Sequence, residues 1–136
     1  LAKAHVITDF IRKGFEEGDF TMMTDGTEER QFLYAEDCCE ALETVMECYS
    51  DFKPEDPLHI TSFNSTCIAK IAALIQGQFN LIGRYDVKIK PGLAKDSVQM
   101  DKRNEADTYI TGWWTPKTGI DQGITKVFQE MKKNYD

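Results

Sequence analysis

The chain has 136 residues, of which 41% are hydrophobic and 29% charged, a composition typical of one compact globular domain. Its net charge of −7 argues against general nucleic-acid binding, which depends on Lys and Arg neutralising phosphates. The longest apolar run, IAALI at 71–75, is too short for a membrane span or a secretory signal. We therefore expect no nucleic-acid and no membrane partner. A small anionic ligand stays compatible with this charge, because a few local cations suffice for one diphosphate.

Predicted helices and strands alternate along the chain. The first half predicts a helix at 5–17, a strand at 20–24, a turn at Asp25-Gly26, an extended piece at 31–34 and a helix at 36–49. The second half predicts strands at 58–63 and 87–90, a helix capped by Ser65 or Thr66, a short strand at 97–100 and a short helix at 102–109. The alternation predicts an α/β fold, or α+β for the isolated piece.

The terminal helix has the clearest pattern. Thr118 and Asp121 resemble a capping box at its start. One face of the predicted helix is apolar and consists of Ile120, Ile124, Val127, Phe128 and Met131.

The four cysteines, Cys38, Cys39, Cys48 and Cys67, form no C-x-x-C pair. Cys38 shares a predicted apolar stripe with Ala41, Leu42, Val45, Met46 and Tyr49. Because a free cysteine behaves as a small hydrophobic residue, we expect four free thiols rather than a metal site. Free thiols indicate a reducing, cytoplasmic location.

Motifs of common catalytic sites are missing from the sequence. It contains no G-x-G-x-x-G, no Walker A and no H-E-x-x-H, and neither His5 nor His59 has a nucleophile-elbow context. Tyr49 and Lys53 match the Y-x-x-x-K of short-chain dehydrogenases, but the match falls where the helix ends before Pro54. We interpret it as accidental and predict no catalytic, cofactor-binding or metal-binding residue in this chain.

Residues 25–42, DGTEERQFLYAEDCCEAL, carry the most informative pattern. Arg30, Phe32, Tyr34 and Asp37 match Gly-x-Gln-x-Arg-x-Phe-x-Tyr-x-x-Asp, the stretch that precedes a helix in extended short-chain dehydrogenase/reductases. Further similar segments occur in the same order at 5–14, 90–101 and 112–128. The whole chain thus resembles the C-terminal half of the NAD-dependent epimerase/dehydratase family of nucleotide-sugar enzymes. HVITDFIRK together with RQFLY is most similar to GDP-sugar enzymes of the GDP-fucose synthase type.

The resemblance implies that the two halves of the full-length protein have different roles. In this family the N-terminal half holds the glycine-rich loop for NAD or NADP and the catalytic Ser/Thr, Tyr and Lys. The C-terminal half grips the nucleoside diphosphate sugar. Residues 1–136 would then be a substrate-binding domain without its N-terminal dinucleotide-binding (Rossmann) domain, not catalytic alone and with no cofactor of its own. Whether it includes the last Rossmann strand and helix stays open.

The sequence starts at Leu1 inside a helical pattern, and we therefore interpret it as a fragment of a longer chain. We expect this fragment to self-associate through apolar surface that its missing domain would cover.

Three basic residues match family positions that face the substrate's diphosphate. Arg30 corresponds to the arginine that holds it, a task suited to a planar fork of donors. Lys90 and Lys95 match two basic positions where relatives usually place arginine. The alternative for Arg30 is a surface ion pair with Glu28 or Glu29.

Apolar and small residues complete the implied site. Val6, Ile7, Thr21 and Met23 correspond to positions that approach the nucleotide, and Phe32 to one that lines the nucleoside pocket. Plain core packing is the alternative for the apolar members. Tyr34 and Asp37 are expected to be structural, with Asp37 capping the helix at 36–49, and Trp113 and Trp114 are expected to pack rather than to stack on a base.

Three departures from the family pattern leave the nucleotide and the sugar undetermined. Glu28 replaces the usual Gln, Thr8 the usual Pro and Leu93 the usual Asp. An acid at 28 would disfavour a nearby diphosphate unless it points at Arg30. The competing hypothesis is a non-catalytic binding or interaction module that retains only this half of the fold.

Overall fold

The computed structural model describes residues 5–96 and 105–136. The elements of this part follow one another as α1 (Val6–Glu16), β1 (Phe20–Thr21), β2 (Glu29–Gln31), α2 (Ala35–Glu47), β3 (Ser65–Cys67), α3 (Ile68–Leu81), β4 (Ile89–Lys90) and α4 (Ile120–Lys132). Short 3-10 turns lie at Tyr49–Asp51 and Tyr109–Gly112. The predicted α/β class is confirmed. No helix of the described ranges has the length and apolar character needed to cross a membrane.

Two small sheets organise the strands. β1 pairs in parallel with β4, with Phe20 opposite Ile89 and Thr21 opposite Lys90. Further along, Thr24 pairs with Ala94 rather than with Leu93, so the second strand contains one extra residue between the two contacts. β2 pairs antiparallel with β3, and Arg30 lies opposite Thr66.

The main core lies between α1, α3 and α4. Its fully buried side chains include Ile11, Ile71, Phe79 and Phe128. Phe79 and Phe128 meet edge to face with ring centroids 4.9 Å apart. Burial of side chains of this size stabilises the fold by about 1.5–3 kcal/mol each. The predicted apolar face of the terminal helix is confirmed, since Ile124 and Phe128 are buried and Ile120, Val127 and Met131 pack against the same cluster.

A second, smaller cluster joins α2 to the segment around the second 3-10 turn. Its buried members are Ala41, Ile110 and Trp114. The stripe predicted on α2 is covered only on one side. Residues Leu42, Met46 and Tyr49 keep 51%, 78% and 79% of their surface exposed. These three residues form what we call the α2 apolar face.

Three local predictions in this part of the chain are wrong. Residues 58–63 form no strand, because they find no strand partner in the described part of the chain. Ser65 and Thr66 belong to β3 and do not cap α3, whose N-cap is Cys67. Thr118 and Asp121 form no capping box, since α4 starts from Gly119 without a side-chain cap. The strand predicted at 97–100 and residues 102–104 of the predicted short helix lie outside the described residues, and 105–108 contains no regular element.

Asp37 has a different structural role from the predicted one. The N-cap of α2 is Tyr34, and no side chain caps this helix. The buried carboxylate of Asp37 instead accepts hydrogen bonds from the backbone amides of Lys117 (3.1 Å) and Thr118 (2.8 Å). Asp37 thereby joins the start of α2 to the segment that leads into α4.

Candidate functional site

Arg30 occupies the centre of β2 with its side chain partly exposed. Its backbone is fixed by the pairing with Thr66. The next residue, Gln31, accepts a hydrogen bond from Thr61 on the opposite side of the chain. Because side chains alternate along an extended chain, Arg30 and Phe32 project to the same side, two residues apart. β2 ends at Gln31, so this arrangement of Arg30 and Phe32 is an expectation from the extended chain.

Phe32 lines an apolar cleft of about 470 Å³. The walls of the cleft come from the start of α1, the segment that enters α2 and the first turns of α4. Its larger lining side chains are His5, Ile7, Phe32, Tyr34, Ile120 and Val127. Two of the predicted site residues, Ile7 and Phe32, are thus brought together. Val6 is half-buried and packs against the main core, as do Ile7 and Phe32.

Three helices begin at this cleft. The starts of α1 (His5, Ile7), α2 (Tyr34, Ala35) and α4 (Gly119) all contribute to its lining, and none of the three has a side-chain cap. Backbone amides at such helix starts carry partial positive charge and favour anions. Acidic side chains in the first turns, among them Asp9 and Asp121, offset part of this charge.

The remaining predicted residues lie around β1 and β4. Thr21 and Lys90 are exposed partners in the parallel pair, and the ammonium of Lys90 binds Asp19 at 2.8 Å. Met23 is exposed, and the backbone next to it packs closely against Gly92. These residues share the face of the sheet that points away from the core.

Lys95 lies beyond β4 with its side chain exposed. The pKa of Asp25 is held below its ordinary value of 3.8, first by the hydroxyl and the backbone amide of Thr27 and also by the charge of Lys95. The amide of Asp25 donates a hydrogen bond to the carbonyl of Ala94 at 2.8 Å, so Lys95 directly follows a residue that contacts the Asp25-Gly26 turn.

The ion pair of Arg30 differs from the one considered in the sequence. Its Nη2 binds Oδ2 of Asp96 at 2.9 Å, across 66 residues, and not Glu28 or Glu29. The Oε1 of Glu28 accepts a hydrogen bond from the hydroxyl of Thr24 at 2.5 Å. The acid at position 28 is thus engaged by a neighbouring loop rather than by Arg30.

Sequence reasoning also missed Lys126. Its ammonium lies 5.0 Å from the ring centroid of Tyr34, a cleft residue, in a cation–π contact. The helical spacing of Lys126 relative to Val127 and Gly123 could have indicated its place beside the cleft. No such signal exists for Asp96, whose contact with Arg30 is long-range.

The start of α3 is not arranged to bind a dinucleotide. β3 leads directly into α3, which is the connection where a phosphate-binding glycine loop would be expected. However, the amides of Ile68 and Ala69 donate to the carbonyls of Glu28 and Gly26, so the start of α3 is closed by the chain itself. The start of α3 therefore does not fit the pyrophosphate of a dinucleotide. The described ranges also hold no cluster of three or more His, Cys, Asp or Glu suited to a metal ion.

Comparisons with known proteins show what this chain is similar to. Residues 2–60 match the model of the NAD dependent epimerase/dehydratase family. GDP-L-fucose synthase of Sinorhizobium fredii is 26% identical over 98% of this chain. The resemblance to the NAD dependent epimerase/dehydratase family is confirmed.

Solved structures of the epimerase fold superpose on nearly the whole chain. UDP-glucose 4-epimerase of Thermotoga maritima, determined with UDP-glucose, gives a TM-score of 0.79 at 17% identity over 99% of this chain. The Bordetella bronchiseptica enzyme WbmF, determined with NADH, gives 0.70 at 24% identity over 96%. The chain spans about two fifths of the length of these proteins and 42% of the fucose synthase.

Proposed function

We propose that this chain is the nucleotide-sugar-binding part of an NAD(P)-dependent epimerase, dehydratase or reductase and that it is not catalytic alone. The observation that carries the proposal is an apolar cleft where three uncapped helices begin, lined by Phe32, which follows Arg30 by two residues in the chain. A nucleoside diphosphate sugar has an anionic diphosphate, which suits the guanidinium, and a flat base, which suits the apolar cleft.

Each part of such a ligand has a counterpart in the site. The diphosphate would meet the Arg30 guanidinium, with Lys95 and Lys90 as further cations. The helix starts would add partial positive charge. The nucleoside would contact Phe32 and Ile7, with Val6, Thr21 and Met23 at the margins. The Thermotoga relative, whose structure was determined with UDP-glucose, supports this ligand class.

The cofactor would be bound by a second domain. The chain closes the start of α3 with its own carbonyls and lacks a glycine-rich loop, whereas the relatives are more than twice as long. We propose that a dinucleotide-binding domain packs on the α2 apolar face and on the extended residues 58–63, and that it supplies NAD or NADP and the reacting groups. The four free cysteines support a reducing, cytoplasmic location.

The test is a calorimetric titration of UDP and GDP into wild-type protein and Arg30→Lys at fixed salt, in this chain and in the longer protein. An ammonium cannot reproduce the bidentate fork, so we expect affinity to fall about ten- to a hundredfold. Arg84→Lys is the matched control, because Arg84 forms an ion pair of equal length (2.9 Å) with Asp86 at a different place. Equal affinities for wild-type protein and Arg30→Lys would remove Arg30 from the site.

A further inference from the structure

The Arg30 site already contains an anion from the chain itself. Asp96 lies beyond β4, and its side chain is 15% exposed, compared with 42% for that of Arg30. One Nη of the guanidinium is therefore engaged by a carboxylate that is more buried than its partner. The remaining N–H donors of a guanidinium point along its other edges.

Charges around Arg30 do not favour a further anion while this pair is intact. Arg30 and Lys95 contribute two positive charges, and Glu28, Glu29 and Asp96 lie on the same or the facing segments with negative ones. A diphosphate at Arg30 would approach the Asp96 carboxylate within a few ångströms. Exposed ion pairs contribute little to stability. The stabilisation that Asp96 gives to the position of the Arg30 side chain is therefore small compared with the repulsion between Asp96 and a bound diphosphate.

We propose that Asp96 is an internal competitor for the Arg30 guanidinium and sets the affinity and selectivity of the diphosphate site. This inference rests on the proposed function. A ligand with two phosphate groups displaces Asp96, whereas a single phosphate group does not gain enough from one guanidinium edge. Asp96 acts through Arg30 and is a positioning residue rather than a ligand.

The experiment is a calorimetric titration of inorganic pyrophosphate, UDP and UMP into the wild-type chain, Asp96→Asn and Asp96→Glu. Removing one negative charge at this distance should tighten pyrophosphate and UDP binding about fivefold or more. We expect UMP to gain at least as much, so that discrimination between UDP and UMP narrows. Asp96→Glu keeps the charge and should stay close to wild type. Asp86→Asn is the matched control and should change none of the affinities, since it opens an arginine–aspartate pair elsewhere.

A double variant separates this proposal from the proposed function. In Arg30→Gln, the additional change Asp96→Asn should tighten binding less than twofold, because the competition for the guanidinium no longer exists. Binding that depends on Arg30 but is unchanged or weakened in Asp96→Asn would overturn the role of Asp96 alone. Absence of Arg30-dependent binding in both the wild-type chain and Asp96→Asn would overturn the proposed function and this inference together. Melting temperatures of all variants report on folding independently.

Discussion

The carboxylate of Asp37 accepts a hydrogen bond from the backbone amide of Thr118 at 2.8 Å and thereby connects two segments 81 residues apart. The same oxygen accepts a hydrogen bond from the amide of Lys117. The Lys117 ammonium also binds Glu40, one turn along α2 from Asp37. The start of α4, one wall of the cleft, is therefore positioned by the first turns of α2.

We expect Asp37→Ala to lower the free energy of unfolding by about 2–4 kcal/mol, because two amides lose a charged acceptor in a part-buried place. Glu36→Ala, an exposed acid in the same helical turn, should change it by less than about 0.5 kcal/mol. Urea unfolding followed by circular dichroism measures both. Similar stabilities of the two variants would show that Asp37 does not connect these segments.

Gly14 is required by the close approach of α1 to Phe79. A Cβ at this position would overlap two carbons of the Phe79 ring, which is fully buried. We expect Gly14→Ala to destabilise the fold by about 1–3 kcal/mol, since overpacking outweighs the better helix propensity of alanine. Gly77→Ala is the matched control on α3, where a Cβ meets nothing within 4 Å, and should stabilise by about 1 kcal/mol. Thermal melts would contradict the packing argument if the two changes had the same sign.

The turn before β2 should contribute stability that depends on pH. Hydrogen bonds from Thr27 lower the pKa of Asp25 below 3.8 in the folded chain. Because the folded pKa is the lower one, the contribution is fully present above pH 3.8 and is lost as the pH falls through the folded value. We expect Asp25→Asn to be less stable than wild type at pH 6 and to approach it as the pH falls below 3.8. A stability difference that does not change with pH would exclude this linkage.

The α2 apolar face should drive self-association of the chain. Leu42, Met46 and Tyr49 lie at spacings of four and three residues and are each more than half exposed. We expect sedimentation velocity to show oligomers of the wild-type chain and a shift toward monomer for Met46→Glu. Leu81→Glu, an exposed apolar residue at the end of α3, serves as control and should leave the distribution unchanged. A wild-type monomer over a broad concentration range would contradict the prediction.

Local signals in the sequence predicted the helices well. α1 and α4 have apolar residues at helical spacing over more than two turns. This pattern is local in the sequence, so the helices could be predicted without knowing their partners. The family motif also indicated that Arg30 and Phe32 belong to one site, although their contact with a ligand stays a prediction. Features that depend on long-range partners were not predictable. Residues 58–63 alternate like a strand but lack a partner in the described part of the chain, and Thr118 is bound by Asp37 instead of capping α4.

The extra residue between the Thr21–Lys90 and Thr24–Ala94 contacts decides which charge meets Arg30. Side chains alternate beyond such a bulge, so the register at Ala94 determines whether Lys95 or Asp96 points toward β2. If the chain kept the register of Thr21 with Lys90, Thr24 would lie opposite Leu93, and Lys95 rather than Asp96 would lie beside Arg30 and put two like charges together. A one-residue difference in register, with no substitution at all, thus separates a self-neutralised guanidinium from a doubly cationic pocket.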